Sequence, residues 1–371
     1  MHSAQAVSFV EQFVKDEGVV FSIRPVTISG AVGLDESNPF SLLRPVDIAQ
    51  LYDEVEGDMP WVLDGYLVKG GLTLLAGPPK LGKTTLAYQI LAAIAEGVPF
   101  LGKTVAQSKV LLLGVEEHRR DITQRLFDSG TKDLSGLVKV EFGPVPFNET
   151  SQKELVVYVK QEQIGLVVID TLPVWWNLAD ESNAAEVITK GALLLKAIRN
   201  TDAAWLCLVH ARKGGGEHGE EIRGSSALAG LADIAISMKR TPAGDPQRSL
   251  ETISRYAETP RSLTIELEKD VYRALGTPEE VSAAARAERV WTVLTDIDQR
   301  TDELCEITDL SKQDLSLAVG RLGDNVVRTG KGHKGDPYRY RRNPIRPSSN
   351  SEVEVLDKST QPIEPTHDNA Q

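Results

Sequence analysis

With 371 residues and a formal net charge of −12, the chain is too long for one small domain and too acidic to coat nucleic acid indiscriminately, so any phosphate-backbone contact must come from a local basic patch. Its two cysteines, Cys207 and Cys305, stand far apart with no Cys or His at metal-ligand spacing, which argues against a disulfide framework or a zinc site and fits a reducing cytoplasm. No segment approaches the ~20 apolar residues of a membrane span, and the start lacks a basic, then apolar, signal pattern.

Residues 1–60 mix short apolar clusters with turn formers and carry no nameable chemistry; 8–16 reads as a turn or two of helix. Residues 60–70 bring Trp61 and Tyr66, which suit either ordinary packing or the rim of the site that follows. The apolar run 71–76 then delivers Gly77, Pro78, Pro79, Lys80, Leu81, Gly82, Lys83, Thr84 and Thr85, the spelling G-x-x-x-x-G-K-[ST], and 83–95 has the pattern of an amphipathic helix. Strand, glycine turn and helix N-terminus together make an anion cradle. Amides from Gly77 to Thr84 wrap a β-phosphate, Lys83 reaches the β- and γ-phosphates, and the Thr84 hydroxyl completes a Mg²⁺ shell. ATP and Mg²⁺ are the implied cofactors.

Strands at 72–76, 110–114, 138–142, 166–170 and 204–209 alternate with helices at 83–95, 119–127, 152–163 and 184–200, the signature of a mainly parallel sheet with helices on both faces. Apolar runs at 234–238, 250–255 and 263–268 leave no room for intervening helices, so an antiparallel extension finishes the sheet. Thr277-Pro-Glu-Glu-Val-Ser282 is a helix start, and a domain boundary falls near it. Helices at 286–298, 302–306 and 311–322 and a hairpin over 326–341 make residues 276–342 a small winged helix-turn-helix after an α/β domain of residues 61–275. Residues 343–371, rich in Pro, Ser, Thr, Asn and Glu, read as a disordered tail.

Hydrolysis needs a carboxylate for the metal and a group to orient the attacking water. Leu166-Val-Val-Ile-Asp170 is an apolar strand ending in an acid, so Asp170 joins Thr84 as a Mg²⁺ residue; a helix N-cap is the plainer use of such an aspartate. The strand 110–114 runs into Glu116 and Glu117, and a parallel sheet brings its end beside the phosphate loop, where either acid can polarise water or merely favour the next helix N-terminus. His210 closes another strand, followed by Arg212, Lys213 and a glycine-rich loop that suits a nucleic-acid backbone or plain solvent. Trp175 and Trp176, after Asp170, suit core packing, a subunit contact, or stacking on bases worth ~1–3 kcal/mol each. Asp180 and Glu181 beside them oppose phosphate.

Together the phosphate loop, Glu116-Glu117, Ile169-Asp170-Thr171, the Leu208-Val-His210 strand end and Arg223-Gly-Ser-Ser226 resemble the RecA-like ATPases, and among them the RepA-type hexameric helicases and the wider group of AAA-named ATPases, over residues 61–267. The resemblance implies that Glu117 is the catalytic base, that His210 senses the γ-phosphate, and that Arg255 is presented to the nucleotide of an adjacent subunit. The arginine that follows the Gly-Ser-Ser helix in the RepA type has no counterpart in Leu231-Ala-Asp-Ile234, and Arg255 or Arg240 is left to substitute.

In the C-terminal unit, Leu315 and Val319 face inward on the recognition helix and Lys312, Gln313 and Arg321 outward. Arg328, Lys331, His333, Lys334, Arg339, Arg341 and Arg342 gather on the wing against only Asp324 and Asp336. That basic stretch in an acidic chain reads as a DNA contact, protein contact being the other use of such a unit. The sequence therefore points to a cytoplasmic, DNA-dependent ATP hydrolase that assembles with copies of itself, as a hexameric helicase or a replication and maintenance ATPase. The alternative is a non-motor regulator whose ATP state controls assembly on a recognised site, or a nucleotide-gated scaffold with little turnover.

Overall fold

The computed structural model describes residues 46–48, 58–143, 146–178, 183–210 and 226–344, and every strand and helix named belongs to the compact unit Met59–Gln371, one of two into which the chain divides. The expected helix at 8–16, Asp180 and Glu181, the loop with Arg212, Lys213 and Arg223, and the tail beyond residue 344 lie outside the described residues.

A short hairpin, β1 (Trp61–Leu63) and β2 (Leu67–Val68), precedes β3 (Leu72–Gly77) and α1 (Lys83–Glu96). The chain continues through β4 (Lys109–Gly114), α2 (Arg119–Asp128), β5 (Val138–Phe142), α3 (Glu149–Gln161), β6 (Ile164–Asp170), α4 (Leu172–Trp176), α5 (Ala184–Arg199) and β7 (Ala204–His210). After α6 (Ser226–Leu231) come β8 (Ile234–Arg240), β9 (Gln247–Ser254), β10 (Ser262–Glu268) and β11 (Val271–Gly276). Strands β3 to β11 form one nine-stranded sheet in the order β11-β10-β9-β8-β3-β7-β6-β4-β5. From β8 to β5 all pairings are parallel, and β9, β10 and β11 add on antiparallel.

The central strands are apolar throughout because both faces are covered. Leu75, Leu112, Val168, Leu206 and Leu208 pack on one face with Leu86, Leu91 and Ile94 of α1. Leu74, Leu111, Leu113, Val167, Ile169 and Cys207 pack on the other with Val187, Leu194 and Ile198 of α5. Fully burying each such side chain contributes about 1.5–3 kcal/mol, so the helix behind the phosphate loop is fixed by its packing. Trp175 and Trp176 join the second cluster at 3% and 1% exposure, against Phe147 at 5.0 and 5.7 Å between ring centroids. Their burial removes base stacking from the uses left open by the sequence. Trp61 packs edge-on against Tyr256 and Tyr66 is buried in the first cluster, so these aromatics serve packing.

After β11, the Thr277 side chain accepts the Glu280 amide and Glu280 accepts the Thr277 amide, a reciprocal cap that starts α7 (Pro278–Val293). This helix ends earlier than the expected residue 298, because Leu294 turns extended and Thr295 to Asp298 form a turn closed by Gln299. Then follow β12 (Gln299–Arg300), α8 (Thr301–Thr308), α9 (Lys312–Leu322), β13 (Val326–Thr329) and β14 (Arg339–Arg342), with strand order β12-β14-β13. Ala287, Val290, Leu294, Leu304, Leu315, Ala318 and Tyr340 form a core of their own.

The hairpin β10–β11 was not expected from the sequence. Its two-residue turn is Lys269-Asp270, with φ of 48° and 66°. That left-handed pair is usually signalled by Asn-Gly or Asp-Gly, and neither is present.

Candidate nucleotide site

The phosphate loop leaves the end of β3, a strand buried on both sides in mid-sheet. Two glycines allow its shape. A Cβ on Gly77 would meet the Met238 carbonyl oxygen at 2.9 Å, and one on Gly82, at φ 104°, would collide with the Tyr272 hydroxyl. Only glycine tolerates both the left-handed backbone and the close neighbour. Lys80 also turns left-handed, at φ 59°, at the loop's bend. Lys83, the first residue of α1, folds back so that its Nζ donates to the Gly77 and Pro78 carbonyl oxygens at 2.8 and 3.0 Å. Burial holds its pKa below the ordinary lysine value, while Asp170 and Glu116 nearby push the other way.

Parallel register brings the strand ends together. Gly77 stands opposite His210 across β3 and β7, and Gly114 opposite Asp170 across β4 and β6. Asp170 is buried, its Oδ2 has no hydrogen-bond partner among the described residues, and burial raises its pKa to about 6. The neighbouring Thr84 hydroxyl opposes that rise, and the Glu117 and Glu116 charges add to it. Glu116 accepts a hydrogen bond from the Thr171 hydroxyl at 2.8 Å. Glu117 pairs through Oε1 with Arg125 at 3.0 Å, and its Oε2 is buried with no partner among the described residues. Both acids thus stand near Asp170, and Glu116 also near the loop lysine, each with one oxygen anchored. The His210 Nδ1 is likewise buried without a partner among the described residues.

Lys83, Thr84, Asp170, Glu116, Glu117 and His210 therefore gather at one edge of the sheet. Arg255 does not join them. It follows β9 at the opposite edge, where Asp233 accepts from Arg255 at 3.2 Å, from Arg199 at 2.9 Å and from the Leu72 amide at 2.9 Å. Near its own chain's sheet, Arg255 pins the root of β3 rather than facing the loop. Arg240 ends β8 at the loop's edge and pairs with Asp245 at 2.6 Å.

Sequence reading missed the groups that support this site. Arg125 lies two helical turns beyond Glu117, too far along the chain for a spacing rule to join them. Arg248 and Tyr272 reach the loop from the antiparallel extension. Gln89 of α1 bridges to that extension, donating to the Asp270 carbonyl at 2.6 Å and accepting from the Tyr272 amide at 2.9 Å.

In the C-terminal unit, Lys312, Gln313 and Arg321 are exposed as expected and Leu315 is buried. The acids are closer than the sequence suggested. Asp302 pairs with Lys312 at 2.7 Å and Asp298 with Arg341 at 3.3 Å, and Arg339 lies 3.8 Å from Asp336. Arg328 and Arg342 stack on Tyr338 and Trp291, each at 4.8 Å. Arg321, Lys331 and Lys334 are exposed and carry no acid partner among the described residues.

A phosphate loop on a central parallel strand, with strand-end acids beside it, is an arrangement suited to the phosphates of a nucleotide. Residues 38–216 match the family model described as AAA domain. The chain is similar to the DNA repair protein RadA of Helicobacter pylori, 23% identical over 210 residues that make up 55% of this chain and 41% of the relative. It is also similar to the DNA repair protein RadA of Escherichia coli, 28% identical over 167 residues, 43% of this chain and 32% of the relative. Each match spans less than half of the relative's length. Among solved structures, a KaiC-like protein of Pyrococcus horikoshii is 17% identical with a TM-score of 0.42, covering 57% of this chain and 93% of that one. No helix among the described residues is long and apolar enough to cross a membrane.

Proposed function

We propose that the protein is a DNA-dependent ATPase that assembles with copies of itself, and that residues 276–342 form a winged helix contacting duplex DNA. The observation that carries the reading is the partnerless Asp170 Oδ2, buried beside the Thr84 hydroxyl at the mouth of the phosphate loop. Two oxygens so placed suit a hard cation such as Mg²⁺, and Lys83 and the loop amides suit the phosphates of ATP. When bound, Mg²⁺ supplies charge neutralisation at the phosphate oxygens.

Residues of the chain do the rest. Glu117 accepts the proton of the attacking water at its free Oε2, while Arg125 holds Oε1 and so fixes the carboxylate's aim. Glu116, held by Thr171, orients that water and is the alternative base. His210, next to Gly77 in the register, reads the γ-phosphate and passes its state into residues 211–225, which include Arg212 and Lys213. Of the arginines that the sequence offers for a neighbouring copy's nucleotide, Arg240 stands at the loop's edge and Arg255 at the other, which favours Arg240. The relatives named DNA repair proteins support a DNA role. A hexameric helicase is the motor form of the reading, and a site-bound regulator is the other.

Steady-state ATP turnover with and without DNA tests the reading: DNA is expected to raise turnover, and His210→Ala is expected to leave ATP binding intact while removing that stimulation. Turnover indifferent to DNA in the parent protein would refute DNA dependence, and equal stimulation in the mutant would remove the sensor role. Strand displacement with ATP separates the motor from the regulator. Duplex affinity should follow the cations that the acids leave open. With Arg321, Lys331 and Lys334 each meeting a phosphate, log affinity falls against log salt with a slope of about −3, and neutralising all three flattens it. A slope unchanged in that triple mutant would leave the C-terminal unit as a protein-contact surface.

A further inference from the structure

Arg248 opens β9 in the antiparallel extension, opposite Arg240 on one side and Ile265 on the other. It is 7% exposed, an unusual burial for a guanidinium unless its donors are all used. They are used. Nε donates to the Leu81 carbonyl oxygen at 3.0 Å, one terminal nitrogen to the Gln247 carbonyl at 2.8 Å, and the other pairs with Asp245 at 2.5 Å. Asp245 is itself exposed and also held by Arg240, and its pKa lies below the ordinary value because of the Arg240 and Arg248 partners.

We propose that Arg248 is a positioning residue of the phosphate loop, holding the Leu81–Gly82 peptide so that the loop amides converge on a phosphate. The inference rests on the nucleotide-binding reading above and names a residue on which that reading depends. A trans peptide is planar, with its C=O and N–H on opposite edges. Anchoring the Leu81 oxygen on a fixed guanidinium therefore directs the Gly82 N–H away from Arg248, among the amides of the loop. Gly82 lacks a side chain and sits at φ 104°, so on its side of the plane no side chain holds the peptide. Tyr272 closes the space behind Gly82, so the peptide cannot relax toward the extension. With all three of its nitrogens tied to the protein, Arg248 reaches the phosphate loop through Leu81. A guanidinium suits the task because its fork fixes direction, which a lysine ammonium does not.

The test titrates full-length protein with a fluorescent ADP analogue and records the ³¹P resonances of bound ADP for the parent, R248M, R248K and D245A, with thermal melting of each. Loss of the clamp is expected to weaken ADP by about tenfold in R248M, the scale of one charge-assisted hydrogen bond, and to displace the β-phosphorus resonance. R248K should recover part of the affinity. D245A, which removes an exposed tether, should shift both readouts less and in the same direction. ADP affinity within twofold of the parent and an unmoved β-phosphorus line in R248M would overturn the proposal. If R248M fails to fold, an unaltered D245A and an R248K equal to the parent overturn it. Failure of the parent itself to bind ADP would instead strike the nucleotide reading.

Discussion

Lys83→Ala is expected to abolish nucleotide binding, whereas Glu117→Gln keeps ATP bound and slows its hydrolysis by about 10²–10⁴-fold, the usual contribution of a positioned general base. The two losses differ because the residues meet different atoms. Lys83 already points its ammonium at the loop's own carbonyls, Gly77 and Pro78, and exchanges those acceptors for phosphate oxygens. On the proposed reading Glu117 serves water rather than phosphate through its partnerless Oε2, and a glutamine keeps the shape while losing the basicity. Nucleotide binding by fluorescence and single-turnover hydrolysis measure the two separately. Glu116→Gln is the decisive comparison. If it stops turnover while Glu117→Gln does not, the Thr171-held acid is the base and the Arg125-held one is its support.

Asp170→Asn should stabilise the nucleotide-free protein at pH 8 while abolishing Mg²⁺-dependent ATP binding. Burial raises the Asp170 pKa from 3.8 to about 6, so the folded chain binds this proton more tightly than the unfolded chain does. The stabilising contribution is fully present below the unfolded value and is lost as pH rises through about 6. A shift of about two units corresponds to about 3 kcal/mol, which the neutral amide should largely restore at pH 8. The same ionisation governs cation binding, so Mg²⁺-nucleotide affinity of the parent should weaken as pH falls through about 6. Thermal melting from pH 4 to pH 8 reads the first effect and nucleotide titration the second. An asparagine variant less stable than the parent at pH 8 would mean that the carboxylate has partners that satisfy it.

The α/β layers were legible because their signals are local and repeated. Each buried strand is an apolar run between helical patterns, and the observed β3, β4, β5, β6 and β7 begin and end within two residues of expectation. The phosphate loop was legible as spelling. What the sequence hid is what depends on pairing across the chain. Nothing local ties Arg248 to Leu81, 167 positions away, or Arg125 to Glu117. Two tryptophans in a polar-flanked segment read as packing or a subunit contact ahead of base stacking, and α4 turns them into the sheet. The basic wing was overcounted for a related reason: Asp298 and Asp302 precede the stretch in sequence and reach it only through folding.

The hairpin β10–β11 also has a mechanical meaning. Strand β11 is paired to β10 along its length, carries Tyr272 against Gly82, and passes at Gly276 directly into the capped start of α7. A hydrogen-bonded strand of six residues is about 20 Å long and has almost no slack. Displacement of α7 therefore reaches the sheet edge that backs the phosphate loop as motion rather than being absorbed in a linker. The chain thus joins the strand that backs the phosphate loop to its C-terminal unit at one residue, the left-handed Gly276.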